Sequence, residues 1–407
     1  MLAAGGYALR RLGQRLDPDR HWWVAPLLDA RMAALAIGAL VGAILPGHLG
    51  DPLDQATGMA IVFLSGWLGL TAGCGLDLRV LRRHAAAPLL YEAAQAPALL
   101  VVLAVVVFAA TRAFEAASGL FGATGVFLLA GLCAAGDPLP TGRTSRKTSG
   151  PKHGFWRPRS SAMAAIALVA VGLAFAPAVS CAIRLPWSGS LQPVLFESVG
   201  LRLWWGLFLG GVAGLLCDLV TKDGFALGGL HYLLAGVVLL CSGLAAALGL
   251  SPLLVGAVAG LWLINATLRR MDVVHVLDRA QVVPRLTVPL LVGWCLARGL
   301  PEAAAAGPDW AAFAVSGIAL VGLRPLAKMW EQGRYAAQPA PARRAQGGGG
   351  LAARLEVGDL SLLVALLLSQ LGPPSTGWAA LAAVGIGQLV LGLAAARLER
   401  TPPVGAL

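Results

Sequence analysis

The sequence predicts an all-α polytopic membrane protein with about twelve transmembrane helices, and three observations lead there. Apolar residues fill 57% of the 407 positions and charged residues only 13%. A soluble chain carries roughly a quarter charged residues, so the charge here is too sparse to cover a water-facing surface of this size. The apolar residues also run together for long stretches, with Lys and Arg gathered in short clusters between them. Finally, the 52 glycines and the Ala-rich runs supply the small residues that let membrane helices pack closely.

A span needs about 20 mostly apolar residues. On that basis the spans cover residues 32–49, 56–75, 85–110, 117–136, 160–183, 199–217, 225–249, 251–268, 284–300, 309–327, 358–372 and 377–396. The first and eleventh are short, and only Gly249-Leu250-Ser251-Pro252 divides the seventh from the eighth. Residues 1–31 hold Arg10, Arg11, Arg15 and Arg20 and no long apolar core, which excludes a cleavable signal peptide. Residues 32–400 then form a single membrane domain, and 401–407 a short tail. Two stretches lie outside the spans: a basic Pro/Gly-rich loop at 138–159, and 331–357, whose centre QPAPARRAQGGGG reads as a flexible linker.

Charge tests the span count independently. With the N-terminus inside and the spans alternating, all but four of the 31 Lys and Arg residues fall on the cytoplasmic side. The exceptions are Arg112, Arg184, Arg202 and Arg298. This asymmetry is how membrane proteins fix their orientation, and one missed helix would reverse every later loop and destroy it. It places both termini in the cytoplasm, and the protein is expected in a bacterial inner membrane. It also accounts for the net charge of +11 without nucleic acid, for which no aromatic-interleaved basic face exists. The six cysteines sit singly inside apolar runs and the six histidines are dispersed. No metal cluster, phosphate loop or nucleophile is recognisable, so neither an enzyme nor a bound cofactor is expected.

A charge in hydrocarbon is costly, which makes each ionisable residue within a span a functional candidate. Here these are Glu92, Asp137, Asp218, Arg324 and Asp359. Asp218, beside Lys222 and Asp223, reads as a helix-end residue. Glu92 lies in YEAAQAP, near Gln95 and Pro97, and reads equally as a buried polar site or an interfacial carboxylate. Asp137 ends GVFLLAGLCAAGDP, where Gly136 and Pro138 both oppose a regular helix. Asp359 follows Gly358 in EVGDLSLLVALLL. Interrupted segments at corresponding places in two halves point to a transport site, because a broken helix frees carbonyls and amides for an ion. The alternative is that both acids cap helices at the cytoplasmic surface. Arg324, in GIALVGLRPLAK, either balances one of these carboxylates or marks the cytoplasmic edge.

Several segments resemble, in order, those of the monovalent cation:proton antiporter superfamily, the sodium/proton exchangers and their potassium-efflux relatives. FLSGWLGLTAGCGLDLRVLRR (63–83) is similar to that family's glycine-rich helix leading into GLELDLRxLRR, and AAGDP (134–138) to the TDP of its first unwound crossing helix. The most specific match is LAAALGLSPLLVGAVAGLWLIN (244–265), which resembles LGLSPILGAFLAGLLLSN. VPRLTVPLLVGWCLARGL (283–300) takes the place of PLFFVLVGL, with Leu290 and Leu291 where the family has an aromatic pair. GLRPLAK (322–328) is similar to the RPL element, and EVGDLSLLVALLL (356–368) to GELSLVLAL at the second crossing helix.

The resemblance covers roughly residues 30–396. It implies inverted repeats with two broken crossing helices, packed against a dimerisation domain, and hence a homodimer in the lipid bilayer. It also implies alternating access, with a proton and a monovalent cation (Na⁺ or K⁺) competing for one carboxylate. Ion or proton binding would fall to Asp137, Asp359 and Glu92, with Arg324 balancing charge. One departure is marked. The family carries its principal ion-binding Asp in an ND or DD pair at the start of the fifth span, where this chain reads RPRSSAMAAIALVAVG (157–172). Ser160 and Ser161 can coordinate a cation there, but a hydroxyl cannot carry the exchangeable proton. Either Asp137 carries it, or the chain is a non-transporting membrane subunit or scaffold that retains the fold.

The charge asymmetry makes a direct prediction for reporter fusions. Fusions after Arg83, Gly150, Gly348 and Leu407 will report the cytoplasm, and fusions near Ala305 and Pro373 the outside. A periplasmic signal at Gly348 would contradict the twelve-span count.

Overall fold

The computed structural model describes residues 30–44, 47–76, 78, 105, 123–134, 166–174 apart from 168 and 172, 198–222, 227–306, 310–325, 358–371 and 374–398. Among them all regular structure is helical. The helices are α1 (Ala30–Ile44), α2 (Gly47–Cys74), α3 (Ala123–Ala134), α4 (Val199–Lys222), α5 (Leu227–Ala247) and α6 (Pro252–Ala266). They continue as α7 (Arg270–Ala280), α8 (Val282–Ala306), α9 (Trp310–Gly317), α10 (Asp359–Leu371) and α11 (Pro374–Leu398). Among the described residues, five stretches are long and apolar enough to cross a membrane: Leu53–Cys74, Val199–Leu219, Gly229–Ala247, Arg270–Ala305 and Gly377–Ala394. α1, α6 and α10 are shorter apolar helices.

Local chemistry explains the boundaries. Gly249, with φ of +70°, ends α5 in the left-handed region that glycine enters without a Cβ penalty. Ser251 then starts α6: its Oγ accepts a hydrogen bond from the Leu254 N–H at 3.3 Å, and Pro252 takes the first helical position. Four residues therefore suffice to reverse the chain between two spans. The expected loop at 269–285 is instead largely α7. Its Val273, Val274, Val276, Leu277 and Ala280 are buried while Met271 is exposed, so one apolar face docks on the protein. Charged residues on the other face made that segment read as a loop. α2 likewise begins nine residues before the expected start of its span, at Gly47 rather than residue 56.

Glycine sets how the helices meet. A Cβ at Gly256 would strike the Gly66 carbonyl, one at Gly260 the Leu70 carbonyl, one at Gly69 the Leu253 carbonyl, and one at Gly73 the Ala257 carbonyl. α2 and α6 thus meet backbone to backbone, which small residues alone permit. The α1/α8 contact is built the same way, with Gly38 against the Leu290 carbonyl and Gly293 against that of Leu35. Such approach suits weak Cα–H···O contacts that only a bare glycine can reach. α4 packs on α6 through Gly210 and Gly214, against Val258 and Trp262. The far side of α4 exposes Trp204, Trp205, Phe208 and Leu219, as a lipid-facing helix does.

Polar contacts sort the helix ends into two sets. At one end, Arg31 and Arg285 meet Asp359, Asn265 bonds the backbone of Leu76 and Leu78, and Thr221 meets Thr267. At the other, Asp54 accepts from Trp294 Nε1 at 2.9 Å and pairs with Arg298 at 3.4 Å, and Trp378 Nε1 donates to the Leu296 carbonyl. Arg285 and Arg298 stand toward opposite ends of one helix, α8, about 20 Å apart along its axis. Every one of these contacts joins residues that the charge pattern assigns to the same side.

The backbone contact yields a stability prediction. Gly260→Val forces a branched side chain into the Leu70 carbonyl and will lower the melting temperature of the purified protein, at a cost of about 1–3 kcal/mol or more. Gly211→Ala, where a Cβ meets open space, will leave it unchanged. Equal effects of the two would contradict the packing.

Candidate functional site

α3 and α10 face each other at the centre of the larger core, and α10 begins at Asp359 directly after the non-helical Gly358. Both are apolar around their circumference, which suits a helix enclosed by others rather than one at a surface. Leu128, Leu129, Leu132 and Cys133 of α3 are fully buried, as are Leu360 through Leu366 of α10. α3 and the first turn of α10 meet at the same guanidinium.

That guanidinium belongs to Arg324. α9 passes into a π-helical segment, Ile318–Leu323, immediately before it. π-helical turns recur at functional positions, and this one sets the direction from which Arg324 enters the core. Only 1% of Arg324 is exposed. Its Nη1 donates to the Leu132 carbonyl at 3.2 Å and to Ser361 Oγ at 2.7 Å. Ser361 lies one half-turn into α10, so a single buried guanidinium ties α3 and α10 together.

Charge compensation occurs at the start of α10. Asp359 stands in its first turn, where a carboxylate offsets the positive end of the dipole. Arg31 of α1 reaches it at 3.3 Å and Arg285 of α8 at 4.0 Å. The Arg31 and Asp359 side chains are 9% and 8% exposed. Breaking so buried a pair costs several kcal/mol, because the remaining charge stays desolvated.

Of the residues expected at the site, the structure brings Asp359 and Arg324 into one neighbourhood, linked through Ser361 two positions beyond Asp359. Asp137, Ser160, Ser161 and Glu92 lie outside the described residues, as do the loop 138–159 and the linker 331–357. Arg324 is buried between α3 and α10. Asp218 is buried, 5% exposed within α4, rather than reaching the surface as a helix-end residue. Sequence reasoning missed Ser361, Arg31 and Arg285. The two arginines had registered only as topological charges, although each is the charge standing next to the start of an apolar run.

No family model matches the sequence, and no curated protein matches it. Among solved structures the chain is similar to the sodium proton antiporter MjNhaP1 from Methanocaldococcus jannaschii, at 14% identity and a TM-score of 0.55. The likeness covers 92% of this chain and 96% of that one. The chain shares the fold of that protein, and its long apolar helices are those of an integral membrane protein.

Removing the charge at the centre of this antiporter fold will destabilise it. Arg324→Gln loses charge-assisted hydrogen bonds worth about 1.5–3 kcal/mol each, and the melting temperature will fall by several degrees. Ser361→Ala removes one of the two bonds and will lower it less. An unchanged melting temperature for Arg324→Gln would contradict a bridging role.

Proposed function

We propose that this chain is a monovalent cation:proton antiporter that moves Na⁺ or K⁺ against H⁺ by alternating access. The observation that carries the reading is the likeness of fold to a sodium proton antiporter along nearly the whole chain, with Arg324 buried between α3 and α10 and Asp359 at the start of α10. A helix end at membrane depth supplies a dipole where an ion must shed water. That arrangement supports a transporter rather than an enzyme.

The finer features belong to this proposal as well. Twelve spans, cytoplasmic termini and a bacterial inner membrane agree with the charge asymmetry and the two sets of helix ends. Inverted repeats are supported by the glycine contacts. If the first span corresponds to the eighth and the second to the ninth, the α1/α8 contact exchanges with the α6/α2 contact, and both are built backbone to backbone. In such a protein Asp137 carries the proton, with Ser160, Ser161 and Glu92 as further candidate contacts for the cation. Asp359 has a secondary part, since two arginines already neutralise it. A homodimer in the bilayer completes the proposal.

A second reading, a non-transporting subunit or scaffold, is favoured by one specific observation: residues 157–172 hold no carboxylate. One experiment separates the two. Proteoliposomes carrying a pH gradient will dissipate it on addition of Na⁺, K⁺ or Li⁺ in turn, and Asp137→Asn will abolish the flux, because an amide releases no proton at working pH. Asp359→Asn will weaken it less. Flux that survives Asp137→Asn shifts the proton to Glu92, and no flux with any alkali cation establishes the scaffold reading.

A further inference from the structure

The boundary between two groups of helices is closed by different means at its two ends. α1 and α8 are held to each other by glycine-to-carbonyl contacts, as are α2 and α6, and α4 rests on α6 through Gly210 and Gly214. Backbone contacts of this kind leave no slack for sliding. α10 and α11 are joined in the same way, with Gly377 against the Ser369 carbonyl. Where α8 meets α11, side chains make the contact instead: Trp378 lies over Gly299, and Leu296 lies near Gly385. Side-chain boundaries can shear, while backbone-locked ones move as units.

The polar contacts across that boundary are unequal. At one end, Trp378 Nε1 donates to the Leu296 carbonyl at 2.9 Å, a neutral hydrogen bond. At the other, Asp359 of α10 is held by Arg31 of α1 and Arg285 of α8, both from the far side of the boundary. Arg31 is itself buried although it precedes a wholly apolar run. An arginine at that place could reach the headgroups by snorkelling, yet it turns inward to a buried carboxylate. Two residues further along α10, Ser361 meets Arg324, which also bonds the Leu132 carbonyl of α3. The ion pair therefore lies beside the junction of α3 and α10.

We infer that Arg31, Arg285 and Asp359 form a gate latch, which closes access to the α3/α10 centre from the side on which α1 begins and must release once in each transport cycle. This rests on the alternating-access reading and assigns its gate on one side. Arg31 is the principal element, because its pair is the shorter and more buried. Arg285, with 29% of its side chain exposed, is the auxiliary one. A latch of this kind works through charge, not through a particular side-chain shape, so Lys at position 31 should serve where Gln should not.

The chain carries its own reporters. Cys133 is fully buried on α3, beside the Leu132 carbonyl that Arg324 holds. Cys74 is buried in the α2/α6 contact, with its Sγ 3.4 Å from the Gly260 carbonyl. The test is the rate at which a membrane-impermeant maleimide labels each cysteine of the full chain in nanodiscs, read by peptide mass spectrometry. Arg31→Gln will raise Cys133 labelling by about tenfold or more, as a population shift toward the open gate requires. Arg285→Gln will raise it less, Arg31→Lys will leave it near wild type, and Cys74 will stay unlabelled in all. Unchanged Cys133 labelling in both Gln variants would overturn the latch. So would equal labelling in Arg31→Lys and Arg31→Gln, or a parallel rise at Cys74, which means general loosening. Should Arg31→Gln fail to fold, the Arg285→Gln result decides alone. Labelling needs no ion gradient, so a latch without exchange, or exchange without a latch, is distinguishable by measuring flux on the same variants.

Discussion

A helix that begins inside a membrane protein leaves amides without partners and one end of a dipole without solvent, and this constraint organises the core of the chain. α10 begins there, and Arg324 ties it to α3 by donating to the Leu132 carbonyl at 3.2 Å. The N-terminal end of α10 needs negative charge and holds Asp359 in its first turn. Each charge is expensive to bury alone, so each is itself satisfied: Arg324 by Ser361, Asp359 by Arg31 and Arg285. The remaining helices are placed where they can deliver those partners.

Delivery from α1 and α8 depends on glycine. Because Gly38 and Gly293 let these helices touch backbone to backbone, the side chains of Arg31 and Arg285 emerge close enough to share one carboxylate. The same helix, α8, is fixed near its other end by Trp294 and Arg298 on Asp54. In the proposed cycle α8, held to α1 by backbone contact and to α2 through Asp54, is the surface against which α10 moves. The chain combines backbone-locked helix pairs with a boundary made of side chains, which suits that proposal.

Much of the fold was legible in the sequence because membrane insertion writes itself in residue type. Apolar run length placed α4, α5, α8 and α11 to within a few residues, and Gly249-Leu250-Ser251-Pro252 gave the turn between α5 and α6. α7 was not legible, since its charged outer face looks like a loop until the protein offers its inner face a partner. The site was legible in part. Gly358 and the following apolar run marked the start of α10, and Arg324 drew notice as a charge at the end of a span. Its enclosure did not follow, because burial of an end residue depends on helices distant in sequence. Arg31 was hidden for the same reason: its carboxylate partner lies more than three hundred positions away.

In the proposed cycle a proton and an alkali cation compete for one carboxylate. The measurement that meets it most directly is equilibrium binding of Na⁺ and K⁺ to the purified protein across a range of pH. Competition for a single site predicts that one proton is released per cation bound. The apparent affinity will then weaken about tenfold for each unit of pH on the acid side of the carboxylate's titration. Cation binding that does not vary with pH, or no binding of either cation at any pH, would contradict exchange at a shared carboxylate.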